Sequence, residues 1–597
     1  INGFCIKTKE AYIFDPTCGT GTFLIRAYNR IYYNFAEHNH SELLERIWGC
    51  EIAPFPAELA VINLYRQNIS EYNNFPRIIK DDIFNITTDS KVQFPPNKKM
   101  IEDKNYKIEI VIPKFDAIVG NFPFIRQEEI EKLIKGYRKK VILPKLHNEW
   151  ANNGEGMDLE LFEKNGDIKI SKKADIYAFT YIHSAALLKE GGRLGFVTSS
   201  SYLDTEFGEE LKKFFLRNFK IVAIVESRVE PWFTDASVNT VFTILEKCRN
   251  KKEREENIVK FVRINKKLKE LIPFDKQTEG INRHHHIDKL TAKIEYCVME
   301  KLTEEISKYE NENYRIRGIE QKNLERIKFK WSALLRNPDL FFELYRNKKL
   351  IELNKVMQVK YGTKPGIVKF FIYSKNKNVM DYYKIEKVYL KPFINSFRDF
   401  EKLVITKKDA DDFILSVNKE KRELLGEKVL DYIEWGEQQR TSGGVLYPEV
   451  PSVKNNEYWY GIKDLVYGDV ILPRFWRYYF YYPNNKGKIP VSDTVFTGKI
   501  KKEYNKKFIL ALLNSTLMFF ITECNGRINM GEGVLTTYGP DMKKYFIIPD
   551  PSIFSEKDKK KLIEIYEKLC KRKIKSIFDE VKMKERQMLD KIILRSI

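Results

Sequence analysis

The stretch Asp15-Pro-Thr-Cys-Gly-Thr-Gly-Thr-Phe-Leu24 decides the fold. It follows a short apolar run, Tyr12 to Phe14, and leads into an amphipathic one, Phe23 to Ala36. A strand that ends in an acid and turns through Gly-x-Gly into a helix is how open α/β sheets begin, and such sheets bind ligands at the carboxyl ends of their strands. Gly19 and Gly21 allow the backbone to approach such a ligand closely. The turn alone is a common feature, and its surroundings give it meaning. Ile47-Trp-Gly-Cys-Glu51 is a second strand ending in an acid, 36 residues after Asp15, and Ile78-Ile-Lys-Asp-Asp-Ile-Phe84 places Asp82 after a third apolar run. An acid at the tip of the second strand can accept from both hydroxyls of a ribose, and one after the third strand can accept from an adenine amine. Taken singly, each acid reads as a helix N-cap. Three in register are hard to obtain by chance.

Outward from this stretch, apolar runs keep alternating with amphipathic ones: Ala57 to Gln67, Ala117 to Val119, Ile176 to Lys189, Leu194 to Thr198, Glu209 to Phe219, Ile221 to Glu226 and Asn239 to Leu245. This alternation predicts an α/β fold with a doubly wound, Rossmann-like sheet over residues 1–250. The last two strands, with Val229 to Ser237 between them, are expected as a hairpin at the sheet's edge. Residues 251–354 are charged with a mostly helical pattern and read as a helical connector. In 355–552, Tyr- and Phe-rich strands alternate with Gly, Pro and Asn turns, a separate α+β domain. Residues 553–597 read as basic C-terminal helices.

The 597 residues are 43% apolar, 13% aromatic and 31% charged, which excludes a disordered, collagen-like or low-complexity protein. Charge is unevenly distributed. Residues 1–250 hold 34 basic and 34 acidic side chains, whereas 251–597 hold 70 and 49, the whole of the net +21. A neutral first part joined to a basic second part points to a polyanion as partner of the second; a solvated lysine-rich surface is the plain alternative. The seven cysteines lie far apart with no CxxC spacing, which speaks against a disulfide framework or zinc ribbon and fits a reducing cytoplasm. The longest apolar candidate for a membrane span, Phe508 to Ile521, is broken by Asn514, Ser515 and Thr516 and falls short of the ~18 residues required. The chain starts at Ile1 without a signal-peptide pattern, and further N-terminal sequence is expected.

A fourth strand runs through Phe115-Asp-Ala-Ile-Val-Gly-Asn-Phe-Pro-Phe124 into the tetrapeptide Asn121-Phe122-Pro123-Phe124 at the same edge. Its chemistry follows from a possible target. An exocyclic base amine delocalises its lone pair into the ring and is a poor nucleophile. The Asn121 side-chain oxygen and the Phe122 main-chain carbonyl could accept its two hydrogens and favour a tetrahedral, nucleophilic nitrogen. Pro123 would stiffen the loop, and Phe124 would offer a face to a base extruded from a duplex.

These motifs resemble those of the gamma-class DNA adenine-N6 methyltransferases of type I and type IIG restriction–modification systems. DPTCGTGTFL is similar to their first motif, GCEIAPFPAELA to the second, KDDIF to the third and NFPF to the fourth. Lys173 to Phe215 is similar to the fifth through seventh, and VEPWFTDASVNTVFTIL to the eighth. The resemblance implies a class I methyltransferase sheet, S-adenosyl-L-methionine as methyl donor and double-stranded DNA as substrate, with restriction or specificity subunits as further partners. Carried onto this chain, Asp15, Cys18, Gly19 and Gly21 would line the methionine end of the cofactor, Glu51 its ribose and Asp82 its adenine. Asn121, Phe122, Pro123 and Phe124 would take the target adenine, and Phe233 would cover its other face. Two departures stand out: position 122 is Phe where the family usually has Pro, whereas related rRNA adenine dimethyltransferases carry Leu or Ile there, which brings the RNA alternative into play, and the family's tenth motif has no counterpart upstream of Asp15. In the basic part, YGTKPGIVKFF, VYLKPFINSFRDF, VILPRFWRYYFYYP, LLNSTLMFF and GVLTTYGPDMKKYFIIPDP resemble pieces of a target-recognition domain, in which Arg474 and Arg477 are the candidate DNA contacts.

Other features read as structural. The aromatic run Phe475 to Tyr482, at strand period, should place about half its rings in the core. His284, His285 and His286 are consecutive and diverge, so no metal site is expected. Glu128, Glu129 and Glu131 read as a solvated helix face, and Asp175 as a helix cap or a cofactor contact. No clustered acid–Lys nuclease centre is evident. The alternatives to a site-specific methyltransferase are the methylating half of a bifunctional enzyme with its nuclease upstream, an RNA adenine methyltransferase, and a non-catalytic DNA-binding module.

Overall fold

The structure, a computed structural model, describes residues 1–70, 74–88, 90–95, 108–125, 129–130, 136–146, 170–171, 174–232, 239–273, 280–397, 400–462, 464–528 and 534–597. They form two compact units, Ile1–Asn337 and Pro338–Ile597. The first is built on one sheet whose strands are β1 (Ile13–Asp15), β2 (Ile47–Cys50), β3 (Arg77–Ile79), β6 (Phe115–Asn121), β7 (Leu188–Ser199), β8 (Phe219–Ser227), β9 (Thr240–Lys247), β10 (Ile258–Ile264), β11 (Glu300–Lys301), β12 (Ile306–Glu310) and β13 (Tyr314–Glu320). The intervening β4 (Lys91–Phe94) and β5 (Ile108–Val111) pair only with each other. The sheet order is 11-12-13-10-8-9-7-6-1-2-3. From β3 to β7 all pairings are parallel. The chain winds from β1 outward to β3, then returns to lay β6 on the other side of β1. That reversal is the topological switch point of a doubly wound sheet.

Each flanking element follows from its pattern. The helix Thr22–Asn34 buries Leu24, Ala27, Tyr28 and Ile31, spaced three and four apart on one face. With Ala57, Ala60 and Leu64 of the helix Pro54–Tyr65, these residues cover Ile13, Ile47, Ile78, Ala117 and Val119 of the sheet. The helix Ile176–Leu187 is apolar almost all round and buried at every position, as such a helix must be.

Two sequence expectations are corrected here. The β8–β9 pair is an antiparallel hairpin but lies inside the sheet, not at its edge, because β10 pairs with β8 in parallel and β13, β12 and β11 follow. The residues read as a helical connector from 251 therefore supply four strands to the first unit, which continues to Asn337. Their charge concealed them. Arg263, Arg315 and Arg317 lie on strands yet reach the last carbonyls of the helix Trp331–Arg336, with Arg263 donating to Arg336 O and Arg315 to Leu335 O. Arg317, fully buried, donates to Ala333 O and Leu334 O. Ala333 O also accepts from the Asn337 amide at the C-cap, and the last carbonyls of a helix otherwise need partners from outside it.

In the second unit a five-stranded sheet runs Met357–Tyr361, Phe496–Ile500, Val470–Leu472, Asn484–Asn485, Val404–Ile405. Its core draws on both ends of the unit: Leu344 and Leu353 at one end and Leu562, Ile565, Leu569, Leu589 and Ile593 at the other pack with Phe508 to Leu513. The C-terminal helices are thus part of this unit's core, and its start at Pro338 precedes the expected 355. The apolar stretch at 508–521 is two helices, Lys506–Leu513 and Thr516–Asn525, bent by 61°. Among the described residues no single helix is long and apolar enough to cross a membrane.

The helix Trp331–Arg336 is tied to the rest of the unit by Arg336, whose Nε lies 3.0 Å from both Glu226 oxygens and whose Nη1 lies 3.3 Å from Asp204. Both carboxylates are buried. Arg336→Ala strands them without their bidentate cation and should cost the first unit about 3–5 kcal/mol, seen as a lower urea midpoint by circular dichroism.

Candidate active site at the β1/β6 switch point

The carboxyl ends of β3, β2, β1 and β6 lie side by side, and the residues singled out by sequence stand at or just beyond them: Asp82, Glu51, Asp15 and Asn121. Ile13 and Phe14 register with Ala117 and Ile118, which brings Asp15 against Gly120. A Cβ on Gly120 would lie 2.7 Å from the Asp15 Oδ1. Asp15 is 1% exposed, and its Oδ1 accepts from the Thr17 amide at 3.1 Å. Burial pushes its carboxyl up to about 8, Glu51 adding to the rise and the Thr17 amide opposing it.

The turn after β1 is tied to the neighbouring strand tips. Cys18 donates its amide to Cys50 O, and Gly19 donates to Glu51 Oε2 at 2.9 Å. Gly21, the N-cap of the following helix, has φ of +85°, and a Cβ there would meet the Cα of Ala60 at 3.3 Å. Glycine is required for the left-handed backbone and for the close helix approach. The other Glu51 oxygen accepts from the Ala53 amide at 2.9 Å. A carboxylate has about four acceptor positions, so Glu51 can be held by two amides and still accept from two hydroxyls. Cys18 is buried, so its thiol lies beneath the turn.

Asp82 caps a 3-10 turn, Ile83–Asn85, its Oδ1 accepting from the Phe84 amide at 3.1 Å. The capping reading of this acid is therefore correct for one oxygen. The other accepts from the hydroxyl of Tyr137, a buried residue that sequence reasoning missed. No local signal marks it, since the bond spans 55 residues.

At β6, the carboxamide oxygen of Asn121 is buried and has no hydrogen-bond partner among the described residues. Its main-chain carbonyl accepts from the Thr17 hydroxyl at 3.3 Å, a second link across the switch point. Phe122 is 1% exposed and packs against Phe196 and Tyr181, with ring centroids at 4.2 and 6.4 Å. The apolar side chain at this position thus serves packing. Pro123 is exposed and its carbonyl accepts from Ile125, while Phe124 is half-buried. Phe233 lies outside the described residues, as do Glu128 and Glu131. Asp175 stands at the N-cap of the helix Ile176–Leu187.

The geometry fits a nucleoside-bearing cofactor beside a base. Carboxylates end three adjacent strands, a glycine turn rises between them, and a buried amide oxygen without a partner stands on the fourth. No group of three or more His, Cys, Asp or Glu among the described residues could hold a metal, and His284 is buried while His285 and His286 are exposed.

In the second unit, which holds 49 basic and 34 acidic residues, the aromatic run divides as expected in number. Trp476, Phe480, Tyr481 and Tyr482 are buried, and Phe475, Tyr478 and Tyr479 exposed. Arg477 is exposed. The Arg474 guanidinium lies 4.9 Å from the ring centre of Tyr538 and 5.4 Å from that of Phe475, with Arg527 at 4.3 Å from Tyr538. Arg527 is paired with Asp541 through two bonds of 2.8 Å. Arg474 has no carboxylate partner among the described residues.

The raised Asp15 carboxyl has a signed consequence. Between its ordinary value of 3.8 and its folded value of about 8, the folded chain binds the extra proton, so stability falls as pH rises through this window. Asp15→Asn removes that slope. The variant's melting temperature relative to the native protein should climb from pH 5 to pH 8 and level off above it in thermal scans without ligand.

Residues 45–233 match the Eco57I restriction-modification methylase family, and residues 329–586 match the C-terminal domain of the type II methyltransferase M.Eco57I. The type II methyltransferase M.BstVI of Geobacillus stearothermophilus is 27% identical over 217 residues, 36% of this chain and 33% of that protein. M.BanIII of Aneurinibacillus aneurinilyticus, also a type II methyltransferase, is 24% identical over 235 residues, 39% of this chain and 33% of that protein. The chain thus matches about a third of the length of these curated relatives. The type IIL restriction-modification enzyme MmeI, solved in complex with DNA, shares the fold over 98% of this chain and 70% of its own, with a TM-score of 0.53 at 16% identity. The two family matches together take in about three quarters of the residues, and the chain belongs to the Eco57I family of restriction–modification methylases.

Proposed function

We propose that this chain carries the methyl-transferring and DNA-recognising parts of a site-specific DNA adenine-N6 methyltransferase of a restriction–modification system, with S-adenosyl-L-methionine as cofactor. The observation that carries the reading is the Asn121 carboxamide oxygen: buried, without a partner among the described residues, and next to the strand tips that end in Asp15 and Glu51. A buried acceptor left unpaired costs on the order of 1–3 kcal/mol, and an arriving amine hydrogen would recover it.

When bound, the cofactor supplies an electrophilic methyl group on a sulfonium. Glu51 accepts from the ribose hydroxyls and Asp82 from the adenine amine of the cofactor. Gly19 and Gly21 give it room, while Asp15 and Cys18 act from beneath, ordering the turn. Asn121 Oδ1 and the Phe122 carbonyl take the two hydrogens of the target amine and hold its nitrogen toward tetrahedral geometry. The donor would supply the methyl group to that nitrogen, and the surplus proton of the amine would leave to solvent. Phe124 would offer a face to one side of the extruded base, and Pro123 would limit the loop's freedom. Arg474 and Arg477 serve double-stranded DNA from the second unit, and a cytoplasmic setting suits both DNA and the free thiols.

Asn121→Ala should reduce methylation of DNA by at least about a hundredfold, the loss expected for a transition-state hydrogen bond of ~3 kcal/mol, while isothermal titration shows cofactor affinity within about twofold of the native value. Methylation within tenfold of native would sink the assignment. For the second unit, Arg477→Ala should lower the slope of log affinity against log salt for duplex DNA by about one unit, the value of one phosphate contact. An unchanged slope would remove Arg477 from the interface.

A further inference from the structure

The Asp82 carboxylate is fixed from two directions. Its Oδ1 is committed to the Phe84 amide of its own turn. Asp81, whose Oδ1 accepts from the Asp82 amide at 2.7 Å and from the Asn85 side chain at 2.8 Å, stiffens the same loop. Oδ2 is the oxygen that points away, and there the Tyr137 hydroxyl donates. Among the described residues it is the only hydrogen bond Asp82 makes beyond residues 81–85. Tyr137 is 7% exposed, and burial, reinforced by the Asp82 carboxylate, raises its hydroxyl so that it stays a donor at every working pH. It stands at the N-terminus of a π-helical turn, Arg138–Ile142, whose Ile142 is fully buried. Single π-turns of this kind are rare and recur at functional sites.

We propose that Tyr137 is a positioning residue for the cofactor: it sets the Asp82 carboxylate so that the remaining lone pair of Oδ2 meets the exocyclic amine of the cofactor's adenine. The proposal rests on the reading of Asp82 given above. A carboxylate torsion is soft, and an unheld Asp82 would turn and be solvated. One lone pair of Oδ2 taken by a buried phenol leaves the other with a defined direction, and the tyrosine ring keeps water from that side. The group comes from the chain segment that follows the Asn121–Phe124 tetrapeptide, so cofactor recognition depends on a residue of that segment as well as on the acid after β3.

The test is isothermal titration of the full chain with S-adenosylhomocysteine and with S-inosylhomocysteine, in which the amine is replaced by a carbonyl oxygen and both donor hydrogens are lost. The native protein should prefer the adenosyl form by about tenfold or more, the worth of a hydrogen bond to a charged group. Tyr137→Phe, which keeps the ring and its packing, should remove about fivefold of that preference. The loss should come through weaker adenosyl binding, with inosyl affinity unchanged within about twofold. Equal weakening of both ligands would mean that the bond merely anchors the segment, and no change would mean that Asp82 needs no positioning. Either result overturns the proposal while leaving Asp82 in its role. A native protein without preference between the two ligands would overturn the reading of Asp82 and the proposal with it.

Discussion

The parallel contact of β1 with β6 leaves no space between the Asp15 carboxyl and the backbone of Gly120, and the rest of the first unit is arranged around that contact. Because the chain winds outward on either side of this pair, the two loops that leave their carboxyl ends part from each other. The crevice between them is where open sheets take ligands. The Thr17 hydroxyl bridges it to the Asn121 carbonyl. A side chain at position 120 would push the strands apart and, with them, the turn after β1 from the Asn121–Phe124 tetrapeptide. Asp15 is expensive to bury, as its raised carboxyl shows, and it is retained where it orders the turn through the Thr17 amide.

Each acid at the strand tips has a structural as well as a proposed binding role. Glu51 holds the amides of Gly19 and Ala53, and Asp82 holds its own turn through Phe84. These bonds fix the carboxylates before any ligand arrives, so little reorganisation is left for binding. Capping and recognition are therefore not competing readings of such residues. A carboxylate has enough lone pairs for both.

In the second unit, charge and aromatic content alone do not distinguish a surface from a core. Trp476, Tyr481 and Tyr482 are interior, while Phe475 and Tyr479 from the same run are at the surface. The irregularity arises because the strand ends at Trp476, after which the period of two no longer applies. Arg474 is held flat by two rings rather than by a carboxylate, which leaves its hydrogen-bonding edge uncommitted to any acid among the described residues. Arg527, which also lies against Tyr538, is paired with Asp541. Two arginines on one ring thus have different electrostatic fates.

Local pattern was enough to read the doubly wound sheet and its acids. β2 lies at Ile47–Cys50 as expected, and the helices begin within a few residues of their apolar periodicity, because strand tips, glycine turns and amphipathic faces are determined by neighbours in the chain. The sequence by itself also determined the order of the motifs and the asymmetry of charge. What it could not convey are the pairings that close over long separations. Strands β10 to β13 look like charged helix or linker because the helix carbonyls that accept from their arginines lie far along the chain. That the Phe122 ring is packed against Phe196 and Tyr181, leaving only its main-chain carbonyl for the proposed target, is visible in no local pattern. The partner of Asp82 is 55 residues away on a turn with no periodic signature. Such contacts depend on which surfaces meet after the chain has wound, and only the tertiary structure decides that.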